Sequence, residues 1–351
     1  MKKLGPTLLY LLLPFFLLAQ SKTYEQLKYR FIGPDGNRAI SVVGEPDNPL
    51  VMYVGAASGG LFKTEDGGNR WRPIFDDQEV SSVSALAMTP SNPQQIWAGT
   101  GETFLIRPAH AIGDGIYKSM DGGKTWKNMG LKSTYRIARI VVHPHNQDIV
   151  WVAAMGHSFG PQKERGIYKT VDGGKTWKQV LFVDENTGGA DIAINPKNPD
   201  ELLAATWQLH INTWGLNSGG KGSGVFHTTD GGETWKAMSE NGLPGGEKDP
   251  NAGKIAVAIS PSHPNIFYAL MEQDHTSLYR STDSGKTWEK RSTNHTMAER
   301  ASYYTRIGLD IEDPNRIYFL SVRFAMSVDG GKTLVARPPR GGGVTHDMVE
   351  S

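Results

Sequence analysis

The sequence predicts an all-β protein, a β-propeller built from four-stranded blades, on three observations. A short element containing Asp, Gly and Trp recurs six times along the 351 residues. A turn rich in Pro and Asn precedes each copy and separates two apolar runs. The composition, with 41 glycines, 20 prolines and 38% hydrophobic residues, is typical of a turn-rich chain with a large core. A period of roughly 50 residues containing several short strands is the signature of a propeller.

The recurring element reads Ser/Thr-x-Asp-x-Gly-x-Thr-Trp in most copies, and successive copies of its Asp lie 46 to 58 residues apart. We expect the Asp carboxylate to accept backbone N–H groups one or two residues further on, as in an Asx turn. The Gly-Gly pair supplies positive φ, and the Trp can enter the space between neighbouring blades. These roles are structural rather than catalytic for all six residues: Asp66, Asp121, Asp172, Asp230, Asp283 and Asp329.

Repeat two shows the layout expected of one blade. Strand A is predicted at 83–88, and a Pro/Asn turn leads into strand B at 96–99. After a long loop, strand C at 115–119 turns through Asp121 into strand D, which begins at Thr125. The same layout predicts blades at about 35–75, 80–127, 135–178, 188–236, 253–289 and 303–334.

Residues 1–20 have the pattern of a cleaved secretory signal peptide. Lys2 and Lys3 precede an apolar segment from Leu8 to Ala19, which is too short to span a bilayer. A buried N-terminal helix is the alternative interpretation. We expect the mature chain to lie outside the cytoplasm, secreted or periplasmic, without a membrane span, because no later apolar run is long enough.

Charge and cysteine content exclude several classes of function. The 37 Lys and Arg residues balance 36 Asp and Glu, so the chain has no basic excess to neutralise a nucleic-acid backbone. The absence of cysteine excludes disulfides, thiolate metal sites and a Cys nucleophile. We predict no cofactor and no metal.

The repeated element resembles the Asp-box, or bacterial neuraminidase repeat. This repeat occurs in sialidases, sortilin-like receptors and two-propeller xyloglucanase-type glycoside hydrolases. Together with the upstream Asn-Pro turns, the chain looks most like exported sortilin-like and xyloglucanase-like repeat proteins over about residues 30–335. The resemblance implies the propeller fold, but one fold hosts many functions.

Departures from these relatives bear on catalysis. The chain lacks the Cys-rich module of sortilin-type receptors and the Arg-Ile-Pro tract of sialidases. In xyloglucanase-like relatives the resemblance implies a catalytic Asp where this sequence has Ala57. Their second carboxylate comes from a second propeller, and glycosidic cleavage normally needs two carboxyl groups.

The blade layout also predicts where a ligand site lies. The A–B and C–D turns share one face, and the variable B–C and D–A loops share the other, which we call the loop face. The predicted B–C loops at 101–115, 156–166, 207–224 and 272–277 carry further polar residues: Arg107, His110, Asp114, His210 and Asp274. Our candidate ligand-binding residues on this face are Arg38, Glu102, Arg136, His157, Trp207, Trp214 and Glu272.

Each candidate group has two interpretations. Trp207 and Trp214 form a stacking platform for a sugar or peptide, or simply cover the top of a blade. The loop histidines converge on a metal, or are merely solvated. Arg38 and Arg136 each stand eight residues before the first Pro of their turn. Either they hold an anion together, or they pair with Glu102 or a backbone carbonyl.

These observations predict an exported propeller that binds a glycan or a peptide on its loop face. The alternative is a portion of a xyloglucanase-like glycoside hydrolase acting on polysaccharide. We also expect the chain to be truncated from a seven-bladed or larger propeller, with residues 336–351 opening a further blade. In that case blades one and six close loosely.

Overall fold

The strands of the computed structural model form six antiparallel sheets, each the size of one sequence repeat. The structure describes residues 33–34, 37–104 and 111–337. The predicted signal peptide at 1–20 and the tail from 338 onwards therefore lie outside the described residues. Residues from Pro34 onwards form one unit.

The strands of blades one to three follow in chain order: β1 (Asn37–Glu45), β2 (Asn48–Ser58), β3 (Leu61–Thr64), β4 (Arg72–Pro73); β5 (Val83–Thr89), β6 (Asn92–Thr100), β7 (Ile116–Ser119), β8 (Lys127–Asn128); β9 (Ile137–Val142), β10 (Val150–Ala154), β11 (Gly166–Thr170), β12 (Lys178–Leu181). Those of blades four to six are β13 (Thr187–Ile194), β14 (Leu202–Asn212), β15 (Gly215–Ser218), β16 (Gly224–Thr228), β17 (Lys236–Ala237); β18 (Ile255–Ile259), β19 (Phe267–Met271), β20 (Ser277–Ser281), β21 (Glu289–Ser292); β22 (Ile307–Leu309), β23 (Ile317–Leu320), β24 (Phe324–Ser327), β25 (Val335–Arg337).

Helix is confined to single turns in the described residues. One α-helical turn spans Ala301–Tyr304. The 3-10 turns are Lys132–Thr134, Met238–Asn241, Gly246–Lys248 and His295–Ala298.

Each blade pairs its four strands in chain order, as the repeat predicted, and the six blades form a β-propeller. Blade four is the exception, because β14 continues beyond the blade and pairs with β15 as an additional hairpin. The prediction of a loop from 207 was therefore wrong, since strand β14 runs to Asn212. The fold class of the sequence prediction is confirmed.

The six Asp turns share one hydrogen-bond pattern, which differs from the predicted Asx turn. Asp Oδ1 accepts the backbone N–H four residues on, at 2.9–3.0 Å in all six copies. The Ser or Thr hydroxyl two residues before the Asp donates to the same carboxylate and accepts the N–H of the second glycine position. The hydroxyl, not the carboxylate, thus serves the near N–H groups, and the Asp spans the whole turn.

These bonds stabilise the ionised carboxylates. The Thr287 hydroxyl donates to Asp283 at 2.6 Å and, against a smaller opposing effect of burial, holds the pKa of Asp283 at about 2. The two glycine positions after the Asp have positive φ in every copy, from 69° to 91° where glycine is present. Ser284 occupies the first of these positions in blade five and adopts a φ of 58°.

The tryptophan slot connects neighbouring blades, as predicted, in two clear cases. Trp126 Nε1 of blade two donates to the carbonyl of Ile74 in blade one at 2.8 Å. Trp177 Nε1 of blade three donates to Met129 of blade two at 2.8 Å. Trp235 instead bonds the carbonyl of Gly232 in its own turn, while its ring packs on the core of blades three and four.

Apolar side chains fill the spaces between blades. Trp151 of blade three and Leu202 of blade four belong to one buried cluster, and blades four and five share another. Blades one and six meet near the loop face, where Ile40 and Ala57 pack with Tyr303. The strand that we expected to open a further blade lies outside the described residues, so loose closure and truncation stay predictions.

We expect the substitution Asp172→Ala to lower the thermal midpoint without removing ligand binding by the folded protein. It deletes the bonds from Thr170, from the Thr176 N–H and from the Thr176 hydroxyl. Thermal unfolding followed by circular dichroism measures the effect. The control is Asp77→Ala, which changes an exposed carboxylate outside the six Asp turns. An unchanged midpoint would contradict the structural role of the turn.

Candidate functional site

The loop face carries a network of charged and aromatic residues where the innermost strands begin. Arg38, at the start of β1, donates from Nη2 to Oε1 of Glu102 and from Nη1 to the hydroxyl of Tyr303. Arg136, immediately before β9, donates from Nε to the main-chain carbonyl of Glu102 at 3.0 Å. The structure therefore brings together three predicted residues: Arg38 of blade one, Glu102 of blade two and Arg136 of blade three.

Phe104 is a buried contact point for cationic groups of blades five and six. It follows Glu102 by two residues and is 2% exposed. The Lys254 ammonium lies 5.0 Å from its ring centroid, and the Arg306 guanidinium lies 5.3 Å from it. Arg306 also crosses the channel from blade six, donating to the carbonyl of Ala138 in blade three at 3.3 Å. Opposite blades are thus tied together through the channel.

Lys254 is the most strongly perturbed group of this region. Its Nζ donates to the main-chain carbonyl of Tyr303 at 3.1 Å and lies over the rings of Phe104 and Trp207. Burial, reinforced by the nearby Arg306, lowers the pKa of Lys254 to about 7.

Glu272 and Trp207 join the network through a hydroxyl. Trp207 Nε1 donates to Ser218 Oγ at 2.9 Å, and Ser218 Oγ donates to Glu272 Oε2 at 2.5 Å. The same carboxylate oxygen accepts the backbone N–H of Lys254 at 2.8 Å. We call the whole set the rim network: Arg38, Glu102, Phe104, Arg136, Trp207, Ser218, Lys254, Glu272, Tyr303 and Arg306.

The charged side chains of the rim network bond to one another and to backbone groups. Arg136 is 2% exposed and donates to the carbonyls of Glu102 and Gly156, and burial lowers its pKa to about 10. Of the two interpretations of the arginines, the structure agrees with the second: Arg38 pairs with Glu102, and Arg136 bonds a backbone carbonyl. Arg136 is therefore not available to an anion, whereas the Arg38 side chain is 34% exposed.

The two tryptophans of the predicted platform lie in different environments. Trp207 is in strand β14 and is 1% exposed, so it belongs to the core and offers no open ring face. Trp214 is 87% exposed at the turn of the β14–β15 hairpin. A platform made of both rings is therefore wrong, and Trp214 alone presents its ring to solvent.

His157 lies apart from the rim network. It lines a cavity of about 440 Å³ beside Tyr135, and their ring centroids are 5.9 Å apart. His210 and Asp274 are exposed, and Asp114 accepts the hydroxyl of Tyr117 at 2.7 Å.

Two of the loop candidates, Arg107 and His110, lie outside the described residues. Over residues 33–34, 37–104 and 111–337, no three His, Asp or Glu side chains form a group suited to a metal ion.

Five residues of the rim network were not predicted from the sequence: Phe104, Ser218, Lys254, Tyr303 and Arg306. A signal existed for one of them, because Arg306 stands eight residues before Pro314, the spacing that selected Arg38 and Arg136. Lys254 is one residue out of this register, at seven residues before Pro261. Phe104 and Tyr303 lie in connections without a repeat pattern, so only the folded chain reveals them.

Ala57 is buried in β2, 1% exposed, in the apolar cluster with Ile40, Phe104 and Tyr303. The position where the resemblance implied a catalytic Asp is therefore part of the core beneath the rim network.

A family model described as sortilin, neurotensin receptor 3, matches residues 114–243. Among curated proteins, the chain is 23% identical to a probable oligoxyloglucan-reducing end-specific xyloglucanase of Neosartorya fischeri, over 78% of this chain and 37% of that protein. It is 25% identical to the photosystem II assembly lipoprotein Ycf48 of Nostoc sp., over 54% of this chain and 70% of that protein. The chain spans between 21% and 38% of the length of the curated xyloglucanases it matches.

Two solved structures share the fold. The GH74 xyloglucanase from Xanthomonas campestris aligns with a TM-score of 0.55 at 16% identity, over 87% of this chain and 54% of that one. Ycf48 bound to D1 peptide aligns with a TM-score of 0.56 at 14% identity, over 88% of this chain and 86% of that one. In the part of the chain that the structure describes, no helix has the length and apolarity needed to cross a membrane.

We predict that the stability of the protein increases from pH 7 to pH 9 because of Lys254. Its folded pKa is about 7, against 10.5 as the ordinary value, so the unfolded chain binds the extra proton across this range. Below pH 7 the folded protein must bury the charged form of Lys254, which lowers the free energy of unfolding. As pH rises from 7 to 9 this penalty is relieved, and the free energy of unfolding increases by roughly 2 kcal/mol.

Chemical denaturation at pH 7, 8 and 9 measures this dependence. Lys254→Met should flatten it and raise stability at pH 7, whereas Lys290→Met, at an exposed lysine over the Tyr279 ring, should not. A wild-type free energy of unfolding that does not rise with pH would contradict the assignment.

Proposed function

We propose that the chain is a non-catalytic ligand-binding propeller of the Asp-box type, exported from the cytoplasm, which binds a glycan or a peptide on its loop face. One observation carries this proposal: the carboxylates of the rim network are used for internal bonds, whereas two side chains of the loop face remain accessible. Trp214 lies outside the network and is 87% exposed, and Arg38, within the network, is partly exposed. An exposed aromatic ring and a partly exposed guanidinium on a rigid scaffold suit binding.

The commitment of the carboxylates argues against hydrolysis. Glycosidic cleavage needs two carboxyl groups on opposite sides of the bond, one of them protonated. The Glu102 side chain is 6% exposed and is paired with Arg38. Glu272 accepts Ser218 and a backbone N–H through one oxygen, and Asp191 accepts Arg139 and the N–H of Val257.

The relatives support both classes of ligand. Several are named as xyloglucanases, and the solved Ycf48 structure is described as bound to a D1 peptide. A portion of a xyloglucanase-like glycoside hydrolase remains the second candidate, favoured by the similarity over 78% of this chain. The buried Ala57 and the committed Glu102 weigh against that candidate for the chain acting by itself.

We expect the chain to bind a polysaccharide or a peptide and to release no reducing sugar. Pull-downs on xyloglucan and other insoluble polysaccharides, together with a peptide array, measure binding. A reducing-sugar assay on the same xyloglucan measures cleavage.

Failure to bind any polysaccharide or peptide would overturn the proposal. So would sugar release that survives repurification and disappears in Glu102→Gln, because that result would make Glu102 a catalytic residue. Two variants of Trp214 test whether an aromatic ring at this position contacts the ligand. Trp214→Phe keeps a ring and should retain binding, whereas Trp214→Ala removes it and should weaken binding severalfold.

A further inference from the structure

We propose that the cavity formed by Tyr135 and His157 is a subsite for a neutral sugar residue. This inference rests on the proposed function and names a ligand class and a position for it. The cavity lies on the loop face, between the segment leading into β9 and the B–C loop of blade three. Its volume of about 440 Å³ is within the range of small-molecule sites. Its lining is Ser133, Tyr135, His157, Pro161, Gln162, Lys163, Glu164 and Glu185.

The backbone at Tyr135 is held in a conformation that side chains rarely adopt. Tyr135 has φ 58° and ψ −31°, and the Arg136 N–H donates to the carbonyl of Thr134 at 2.6 Å. This is the strained three-residue turn with a positive φ at its centre. The carbonyl of Tyr135 accepts the Gly113 N–H at 2.8 Å, and it lies 2.1 Å from where a Cβ on Gly101 would stand. The fold therefore keeps the strained turn in place, as is common at binding sites.

The opposite wall of the cavity is equally fixed. Arg165, 2% exposed, donates to the carbonyls of His157 at 2.9 Å, Gly160 at 3.1 Å and Asn186 at 3.0 Å. Gln162 Oε1 accepts the His157 N–H at 2.7 Å, and its Nε2 donates to the carbonyl of Ser133 across the cavity floor. The loop is thus tied to both of its neighbours, and the cavity is preformed.

This loop also concentrates polar atoms that lack a partner. In the described residues, the buried side-chain atoms without a hydrogen bond include His157 Nδ1, Ser158 Oγ and Arg165 Nε. An unmade hydrogen bond of this kind costs free energy and calls for an explanation in a native structure. Of these three residues, His157 alone lines the cavity, so its imidazole ring is the group that a bound hydroxyl can approach.

The charges select a neutral ligand. Burial, with smaller contributions from Arg165 and Arg136, lowers the pKa of His157 and so disfavours the charged form of its imidazole. The buried guanidinium groups of Arg136 and Arg165 oppose a cation. In the lining, Glu164 and Glu185 outnumber Lys163 and oppose an anion. Two aromatic rings at 70° to each other, with amide and carboxylate groups beside them, suit the faces and hydroxyls of a sugar.

The test is calorimetric titration of the whole chain with a xyloglucan oligosaccharide and, separately, with oligogalacturonate as an anionic counterpart. Tyr135→Gly removes the ring and relieves the positive φ, so the variant should fold and lose at least tenfold in affinity. His157→Gln should weaken binding severalfold. The matched controls are Arg300→Gly, at an exposed residue that also has positive φ, and His210→Gln, at an exposed histidine of strand β14.

The neutral oligosaccharide should bind more tightly than oligogalacturonate, with both controls at wild-type affinity. Wild-type affinity in folded Tyr135→Gly and His157→Gln would overturn this subsite while leaving the proposed function intact. Preference for oligogalacturonate, or loss of peptide rather than sugar binding in Tyr135→Gly, would overturn the assignment of a neutral sugar. The absence of any polysaccharide or peptide ligand for the wild-type chain would instead remove the proposed function itself.

Discussion

A four-stranded blade has two apolar faces, and neither can be covered from within the blade. Trp151 of blade three packs with Leu202 of blade four, and the same arrangement joins blades four and five. Burial of both faces therefore requires a neighbour on each side, and blades stacked around an axis meet this requirement. At the loop face, Tyr303 contributes to the contact between blades one and six.

This constraint divides the molecule into two unequal faces. On one face each Asp turn repeats the same short geometry, because a Ser or Thr hydroxyl, a carboxylate and two positions of positive φ satisfy the turn locally. On the other face the connections differ in length, and their described residues share no common bonding pattern. The rim network connects blades across the axis, since Phe104 contacts Lys254 of blade five and Arg306 of blade six, and Arg306 bonds the Ala138 carbonyl of blade three. A ligand therefore finds accessible side chains away from the axis, on the outer loops of the blades.

The fold could be predicted from the sequence because the same Asp turn recurs in all six repeats. Strands β5 to β7 lie within a few residues of their predicted limits. The Asp turn was recognised, but its bonding was not, because the hydroxyl and the carboxylate compete for the same N–H groups and only geometry decides between them. Trp207 was placed in a loop because β14 extends beyond the blade into a hairpin that the other repeats lack.

The rim network could be predicted only in part. Arg38, Arg136 and Glu102 were selected correctly as neighbours, since their positions follow from the repeat. Their availability to a ligand could not be read from the sequence, because it depends on Phe104 and Tyr303, which reach the channel from distant connections. In the cavity beside His157, that histidine was selected but Tyr135 was missed for a similar reason: its strained turn depends on Gly101 and Gly113, more than twenty residues away along the chain.

The Asp-turn face maintains the fold, and the loop face binds the ligand. Hydrogen–deuterium exchange of the whole chain, with and without saturating xyloglucan oligosaccharide, distinguishes the two roles. We expect slower exchange at 131–136 and 156–166 and no change at the six Asp turns. Slower exchange confined to the Asp turns, with the loop-face segments unaffected, would contradict this division of roles.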